Sequence, residues 1–352
     1  MKLFLPFPLR KLEFKNRIAV SPMCQYSAID GHPNTWHLVH LGSRAVGGAA
    51  LVMAEASGVS DVGRISPGDT GLYLDSHVDA WRPIVQFIKE HGAVAGIQLA
   101  HAGRKASTDV PWRGGKPLSA TQGAWQTVSA STLAFDAGYP APKELSVAEI
   151  DQVIQQFEDA ACRALAAGFQ IVEIHAAHGY LLTQFLSPLS NHRTDSYGGS
   201  FENRIRLLLR VAKSVRSIWP ESQPLFVRIS ATDWAEGGWD IAQSIELCRH
   251  LKSLGVDLID VSSGGTSPTA KIPLGPGYQV EFAEAIRKEV GIATGAVGMI
   301  TDPAQADTII TTGQADMVFL AREMLRDPYW PRHAARALRA ELPAPPQYAR
   351  AW

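Results

Sequence analysis

The sequence predicts an α/β fold, a single (β/α)8 TIM barrel with long βα loops, and three observations point to it. A punctuation mark recurs: a helical stretch ends at a glycine, and a short apolar run rich in β-branched residues follows within a few residues. Glycine suits the left-handed position that closes a helix, and such runs suit strands buried on both faces. Eight strand candidates can be counted in this way and by apolar pattern, alternating with helical stretches. That alternation favours a closed parallel barrel over an open doubly wound sheet. Helix-start signals fall where such a barrel needs them.

The elements follow in order. Arg17–Met23 is the first strand candidate, and the helix after it carries His37 and His40. Gly47-Gly48 precedes the run from Ala50 to Glu55, and Gly92 precedes Val94–Leu99. Residues 102–145 then break the rhythm: rich in Gly, Pro, Ser and Thr, with Trp112 and Trp125, they show no sustained period. A loop that long in a compact domain is expected to be a lid or substrate loop. Ser146-Val-Ala-Glu149 is a capping box opening a helix to about Ala167, and Gly168 ends it ahead of the strand Ile171–Ile174. Leu225–Ser230 is the next strand, followed by Gly255 and Leu258–Val261, then Thr294–Met299. Thr301-Asp302-Pro303 supplies a cap and an early proline for a helix reaching Thr312, expected outside the barrel between strands seven and eight. Gly313 precedes the last strand, Met317–Leu320, and residues 343–352 form a tail.

Composition narrows the function. The chain has 352 residues, and a prior of roughly 150 residues per domain would suggest two domains, but α/β barrels commonly run longer as one. Thirty-three basic and 34 acidic side chains give a net charge of −1, which offers no electrostatic footprint for nucleic acid or an anionic membrane. No stretch approaches ~18 uninterrupted apolar residues, and the N-terminus is interrupted by prolines and soon charged, unlike a secretory signal. Cys24, Cys162 and Cys248 form no disulfide framework, zinc pattern or iron–sulfur run. The expectation is a cytoplasmic enzyme with no membrane or nucleic-acid partner.

Active sites of such barrels lie at the C-terminal strand ends. Those ends carry Cys24 with Tyr26, Ala56, Gln98 with His101, then His175, His178 and Tyr180. The later strands give Arg228, Ser262-Ser263-Gly264, Gly295 to Gly298, and Arg322. Gly295-Ala-Val-Gly298 lets backbone amides approach an anion and Arg322 adds a fixed charge, at the usual phosphate position of the fold. The plainer reading makes these glycines turn residues and pairs Arg322 with a carboxylate. Gln98 and Arg228 would suit the edge of a flavin ring, where a cation near N1 stabilises the reduced form. The alternative for Arg228 is a salt bridge inside the barrel, with Glu173 as its partner. His175 and His178 can hold one oxygen as negative charge develops on it, and the Tyr180 hydroxyl can deliver a proton to carbon. Competing readings are metal binding, which lacks a third ligand in register, and two structural histidines. No metal is expected. Cys24 reads either as inert packing or as a thiol against a flavin.

Taken together, SPMCQYSA, GIQLAHAGRKA, EIHAAHGYLLTQFLSPLSNHRTDSYGGSFENR and ATGAVGMITDP resemble the Old Yellow Enzyme family. The resemblance is to its bacterial thermophilic-like NADPH dehydrogenase and xenobiotic reductase branch, and it runs nearly end to end. It implies FMN held without a covalent link. Ser21, Pro22, Met23, Ala56, Gln98 and Arg228 would line the ring and ribityl chain, and Lys105 and Ser263 would lie near the cofactor. Gly298, Ala321 and Arg322 would hold the phosphate. Cys24 would tune the flavin and Tyr26 would face the substrate. His175 and His178 would grip a carbonyl or nitro oxygen, with Tyr180 as proton donor. The implied reaction reduces electron-poor alkenes with NADPH, or NADH, by way of the flavin. The resemblance also implies a homodimer or homotetramer, with Arg350 of the tail reaching a neighbouring subunit's site. Two departures stand out: Ala321 occupies a position where glycine commonly precedes the phosphate arginine, and residues 108–127 are longer than in the shorter members. An amine-oxidising or demethylating flavoprotein is the nearest alternative. A flavin-free barrel lyase or isomerase acting on a phosphorylated substrate is the more distant one.

Overall fold

A computed structural model describes residues 1–352. Eight parallel strands close into a barrel: β1 Ile18–Val20, β2 Leu51–Gly58, β3 Val94–Ala100, β4 Ile171–Ala176, β5 Leu225–Ser230, β6 Leu258–Ser262, β7 Ala293–Ala296 and β8 Met317–Leu320. Each pairs with its successor, and β8 returns to β1. Two short helices, Leu181–Leu186 and Arg322–Arg326, lie in the loops, and the outer helices are α1 Thr35–Val46, α2 Asp75–Glu90, α3 Val147–Ala167, α4 Phe201–Ile218, α5 Ile241–Ser253, α6 Val280–Val290, α7 Pro303–Thr311 and α8 Trp330–Leu338. One follows each strand, so the expected (β/α)8 barrel is the fold.

Local chemistry explains where the elements start and stop. The Ser146 side chain accepts from the Glu149 N–H while Glu149 reaches back, and Gly168 ends α3 at φ 94°. Asp302 caps α7 with Pro303 in its first turn. That helix packs on β8, on α8 and on the N-terminal turn Lys2–Phe4. Two strands are shorter than the sequence suggested. Beyond Val20, Pro22 has no N–H to give the ladder. Beyond Ala296, Gly298 and Met299 turn to φ 126° and 52°, which leaves the sheet. A hairpin of Phe7–Leu9 and Leu12–Phe14 went unread; Phe7 and Phe14 stack and close the N-terminal mouth of the barrel.

Period-2 alternation splits the core in two. One set of strand residues packs outward against the helices in a cluster of 72 buried side chains. The other faces inward, where Ala19, Leu51, Met53, Val94, Ile171, Phe226, Leu258, Met317 and Phe319 form the barrel interior with the hairpin. A Cβ on Gly295 would stand 2.4 Å from the Phe319 ring, so the ring takes the space a larger residue would fill. Residues 102–145 are not featureless: three single-turn helices, a Thr108–Pro117 bridge and a pairing of Val128–Ser129 with Lys143–Glu144 hold them over the barrel.

Candidate active site

The inward alternation that is apolar low in the barrel turns polar toward the C-terminal ends. Continuing it two residues at a time reaches Ser21, Gln98, Glu173, His175, Arg228, Asp260 and Ser262, all buried. On β2 the register slips between Ala54 and Ala56. This bulge shifts the alternation, so Ala56 joins the inward set while Glu55 lies against α1, its carboxylate 2.9 Å from His37 Nε2. The first of the two HxxH pairs is therefore structural: His37 Nδ1 accepts from the Asn34 N–H, and burial pushes His40 down to about 3.

Strand register brings Gln98 beside Glu173, and sets His175, Arg228 and Asp260 in a row across β4, β5 and β6. Gln98 Nε2 donates to Glu173 Oε1 at 2.8 Å. Arg228 lies 3.2 Å from Asp260. That distance is an ion pair, but the Arg228 Nε–H does not point along it and makes no hydrogen bond. The intrabarrel partner of Arg228 is thus Asp260; Glu173, the partner the sequence suggested, accepts from Gln98 instead.

His175, His178 and Tyr180 come off one strand end. The His175 ring centroid is 5.2 Å from that of His178 and 5.1 Å from that of Tyr180, both nearly perpendicular. His175 Nδ1 accepts from the Ala177 N–H at 3.3 Å, which leaves the proton on Nε2. His178 Nε2 meets the Ser262 hydroxyl at 2.8 Å. Burial, then the Arg228 charge, holds both imidazoles well below the usual histidine range, so both are neutral at pH 7. Burial pushes Tyr180 up, and its hydroxyl keeps its proton.

His178 sits at φ 61°, one of several non-glycine residues in the left-handed region on this face, with Tyr26, Ser107, Trp234 and Met299. Strained conformations held by their surroundings gather at functional sites. Here the cause is visible. The turn after β4 crosses the loop after β6 so closely that a Cβ on Gly179 would lie 2.1 Å from the Gly265 carbonyl oxygen. Lys105 Nζ donates to both the His178 and Gly265 carbonyls, at 2.8 and 3.0 Å, stapling three loops. Its ammonium also stands 5.1 Å over the Tyr180 ring. Burial, then Arg104, lowers Lys105 to about 8.

Opposite the histidines, Cys24 and Tyr26 pack with Tyr180 and Trp125 around Ile65, Ala102 and Ala106. Tyr26 meets Trp112 edge-on at 6.0 Å, so the long loop forms one wall. Burial, with Asp69 and Glu55 nearby, pushes the Cys24 thiol well up, and it stays protonated. On the other side, Ser262, Tyr278, Val297, Gly298, Ala321 and Arg322 line a cavity of ≈ 310 Å³. Ala321 has φ −98°, so its position does not demand glycine. Ser263 turns away, donating to Gln279 at 2.6 Å and accepting from Trp234 Nε1 at 2.8 Å. Arg350 is exposed on a tail whose Trp352 ring stacks on Tyr329 of the same chain, 4° from parallel.

Sequence reasoning passed over Asp260, Gln279 and Asp69. A signal existed for Asp260: a lone carboxylate in the apolar run Leu258–Val261 is as anomalous as Arg228 in its strand.

Residues 2–341 match the model of the NADH:flavin oxidoreductase / NADH oxidase family. An NADPH dehydrogenase of Geobacillus thermodenitrificans (strain NG80-2) is 48% identical over 352 residues, covering 99% of this chain and 98% of that protein. Among solved structures, morphinone reductase in complex with tetrahydroNAD superposes with a TM-score of 0.80 at 26% identity, covering 99% of this chain and 93% of that one. The old yellow enzyme homologue from Zymomonas mobilis gives 0.80 at 28%, covering 98% and 94%.

Proposed function

The chain belongs to the NADH:flavin oxidoreductase / NADH oxidase family, and on that premise we propose that it is an ene-reductase acting on α,β-unsaturated carbonyl and nitro compounds. It is an NAD(P)H-dependent flavin oxidoreductase that uses FMN and NADPH. The residues present fit FMN. Arg322 and Gly298 both line the ≈ 310 Å³ cavity. Nearer the barrel axis, the Ser21 hydroxyl and the Arg228 Nε are buried with no hydrogen-bond partner. Buried polar atoms of that kind await one.

In this reading Ser21, Pro22, Met23, Ala56, Gln98 and Arg228 hold the ring and ribityl chain, with Cys24 against the ring. Gly298, Ala321 and Arg322 take the phosphate, while Ser263 and Lys105 support the site through Gln279 and the loop carbonyls. FMN, when bound there, would supply the two-electron chemistry that links NADPH oxidation to reduction of the alkene at its β-carbon. His175 Nε2–H and the ring of His178 hold the substrate oxygen, stabilising the charge that develops there. Tyr180 gives the proton to the α-carbon, and its raised pKa suits an acid that must stay protonated until that step. Tyr26 and Trp112 would shape the substrate mouth, with residues 102–145 as its lid. Arg350 and the 343–352 tail would complete the site of a neighbouring subunit in a homodimer or homotetramer. No helix is long and apolar enough to cross a membrane.

The observation that carries this reading is the convergence of two neutral imidazoles and a protonated phenol at one strand end. Tyr180→Phe is expected to slow alkene turnover by about 10²–10⁴-fold while flavin reduction by NADPH stays largely intact. An equal fall in both half-reactions would remove Tyr180 as the dedicated donor.

A further inference from the structure

Two carboxyl groups, Glu173 and Asp260, lie fully buried in the barrel interior. One cation, Arg228, lies beside them. Both carboxyls ionised would leave a buried negative charge uncompensated, which is strongly unfavourable. Glu173 Oε2 and both Asp260 oxygens make no hydrogen bond, so nothing else neutralises them. The charges acting on Glu173 are those of Asp260 and Arg228, and the next cation, Lys105, acts on His175 and His178. From β3 comes the amide of Gln98, and from β4 a neutral His175, above which Lys105 enters. Met53, Gly295 and Phe319 supply the rest of the interior at this depth.

We propose that Glu173 is a positioning residue for the cofactor, holding one proton whose loss or gain is coupled to reduction of the FMN through Gln98 and Arg228. The inference rests on the reading that Gln98 and Arg228 face the flavin edge. An ionised Glu173 accepts from the Gln98 amide N–H across the 2.8 Å contact. A protonated Glu173 donates to the Gln98 oxygen instead and turns the amide group over. Protonation therefore sets whether Gln98 offers the flavin chiefly a donor or an acceptor. It also sets the net charge of the Glu173–Arg228–Asp260 cluster, zero with one proton and −1 without. Burial, then the Asp260 charge, raises Glu173 to about 8, and burial raises Asp260 against the pull of Arg228. Arg228 lies 3.2 Å from Asp260 and so favours its ionised form, which leaves the proton to Glu173. Two electrons entering the flavin add negative charge nearby and raise the affinity of Glu173 for that proton. Above pH ~8, where oxidised protein has begun to release it, reduction takes up one proton more than the flavin itself requires.

The test is the midpoint potential of the bound flavin, measured by dye-equilibrated reduction of the holoprotein from pH 6 to 10, in wild type and Glu173→Gln. In wild type the potential is expected to fall more steeply with pH above ~8. In Glu173→Gln the steepening should be absent. The same steepening in the variant, or none in wild type, would overturn the proposal. Should the variant lose its flavin, reduced-minus-oxidised infrared spectra of wild type decide. A buried protonated-carboxyl band that responds to reduction and to D2O supports the proposal, and no such band contradicts it. Protein that takes up no flavin would sink the functional reading itself, and this inference with it. Flavin bound without the pH signature would sink only the inference.

Discussion

The Ser262 hydroxyl, 2.8 Å from His178 Nε2, fixes which nitrogen of that imidazole is left free. Gln279 Oε1 already accepts from Ser263 at 2.6 Å, and its 3.4 Å approach to Ser262 is weak by comparison. The Ser262 proton is therefore best spent on His178 Nε2, which places the ring proton on Nδ1 as the donor to a bound oxygen. Ser262→Ala frees the tautomer, and the lost orientation of one hydrogen bond, ~1–1.5 kcal/mol, should weaken phenol binding about tenfold. A spectral titration of the flavin with a phenol checks this; unchanged affinity would take Ser262 out of the site. At this scale the sequence was legible wherever residues share one strand end. His175, His178 and Tyr180 needed only the knowledge that the strand stops near Ala176. The partner of Arg228 was not legible, because it depends on the lateral register between β5 and β6, which no local pattern encodes.

Among the elements, the loops after β4 and β6 are coupled at one crossing. A Cβ on Gly265 would lie 2.5 Å from the His178 backbone, and the residue has φ 95°, so two separate penalties fall on any side chain there. Gly265→Ala is expected to cost about 1–3 kcal/mol of stability and to displace His178, lowering phenol affinity as well. Thermal unfolding with the same titration measures both; a variant with native stability and affinity would refute the crossing as a constraint. Strand and helix positions were largely readable from glycine stops and caps, as α3 and α7 illustrate. Strand ends on β1 and β7 were not, because apolar residues continue past the point where Pro22 and Gly298 break the ladder. The β2 bulge was also hidden: it changes which of Glu55 and Ala56 faces the barrel interior without leaving a mark in composition.

For the whole molecule, the barrel was predictable because eight buried runs with intervening helices have few ways to close. The hairpin plug at the N-terminal mouth was not, since its two three-residue strands carry too short a pattern to read. The architecture divides labour: an apolar floor and hairpin below, a ring of inward polar side chains above, and long loops over them. On the proposed function, that arrangement would leave the C-terminal end of the barrel for NADPH and alkene to take in turn. The measurement that bears most directly on it is the anaerobic visible spectrum of the purified holoprotein through addition of NADPH and then 2-cyclohexenone. The account predicts flavin bands that bleach with NADPH and return with the enone. Bands that bleach and stay bleached with enones, maleimides and nitroalkenes alike would contradict ene-reduction and assign the reduced flavin another acceptor.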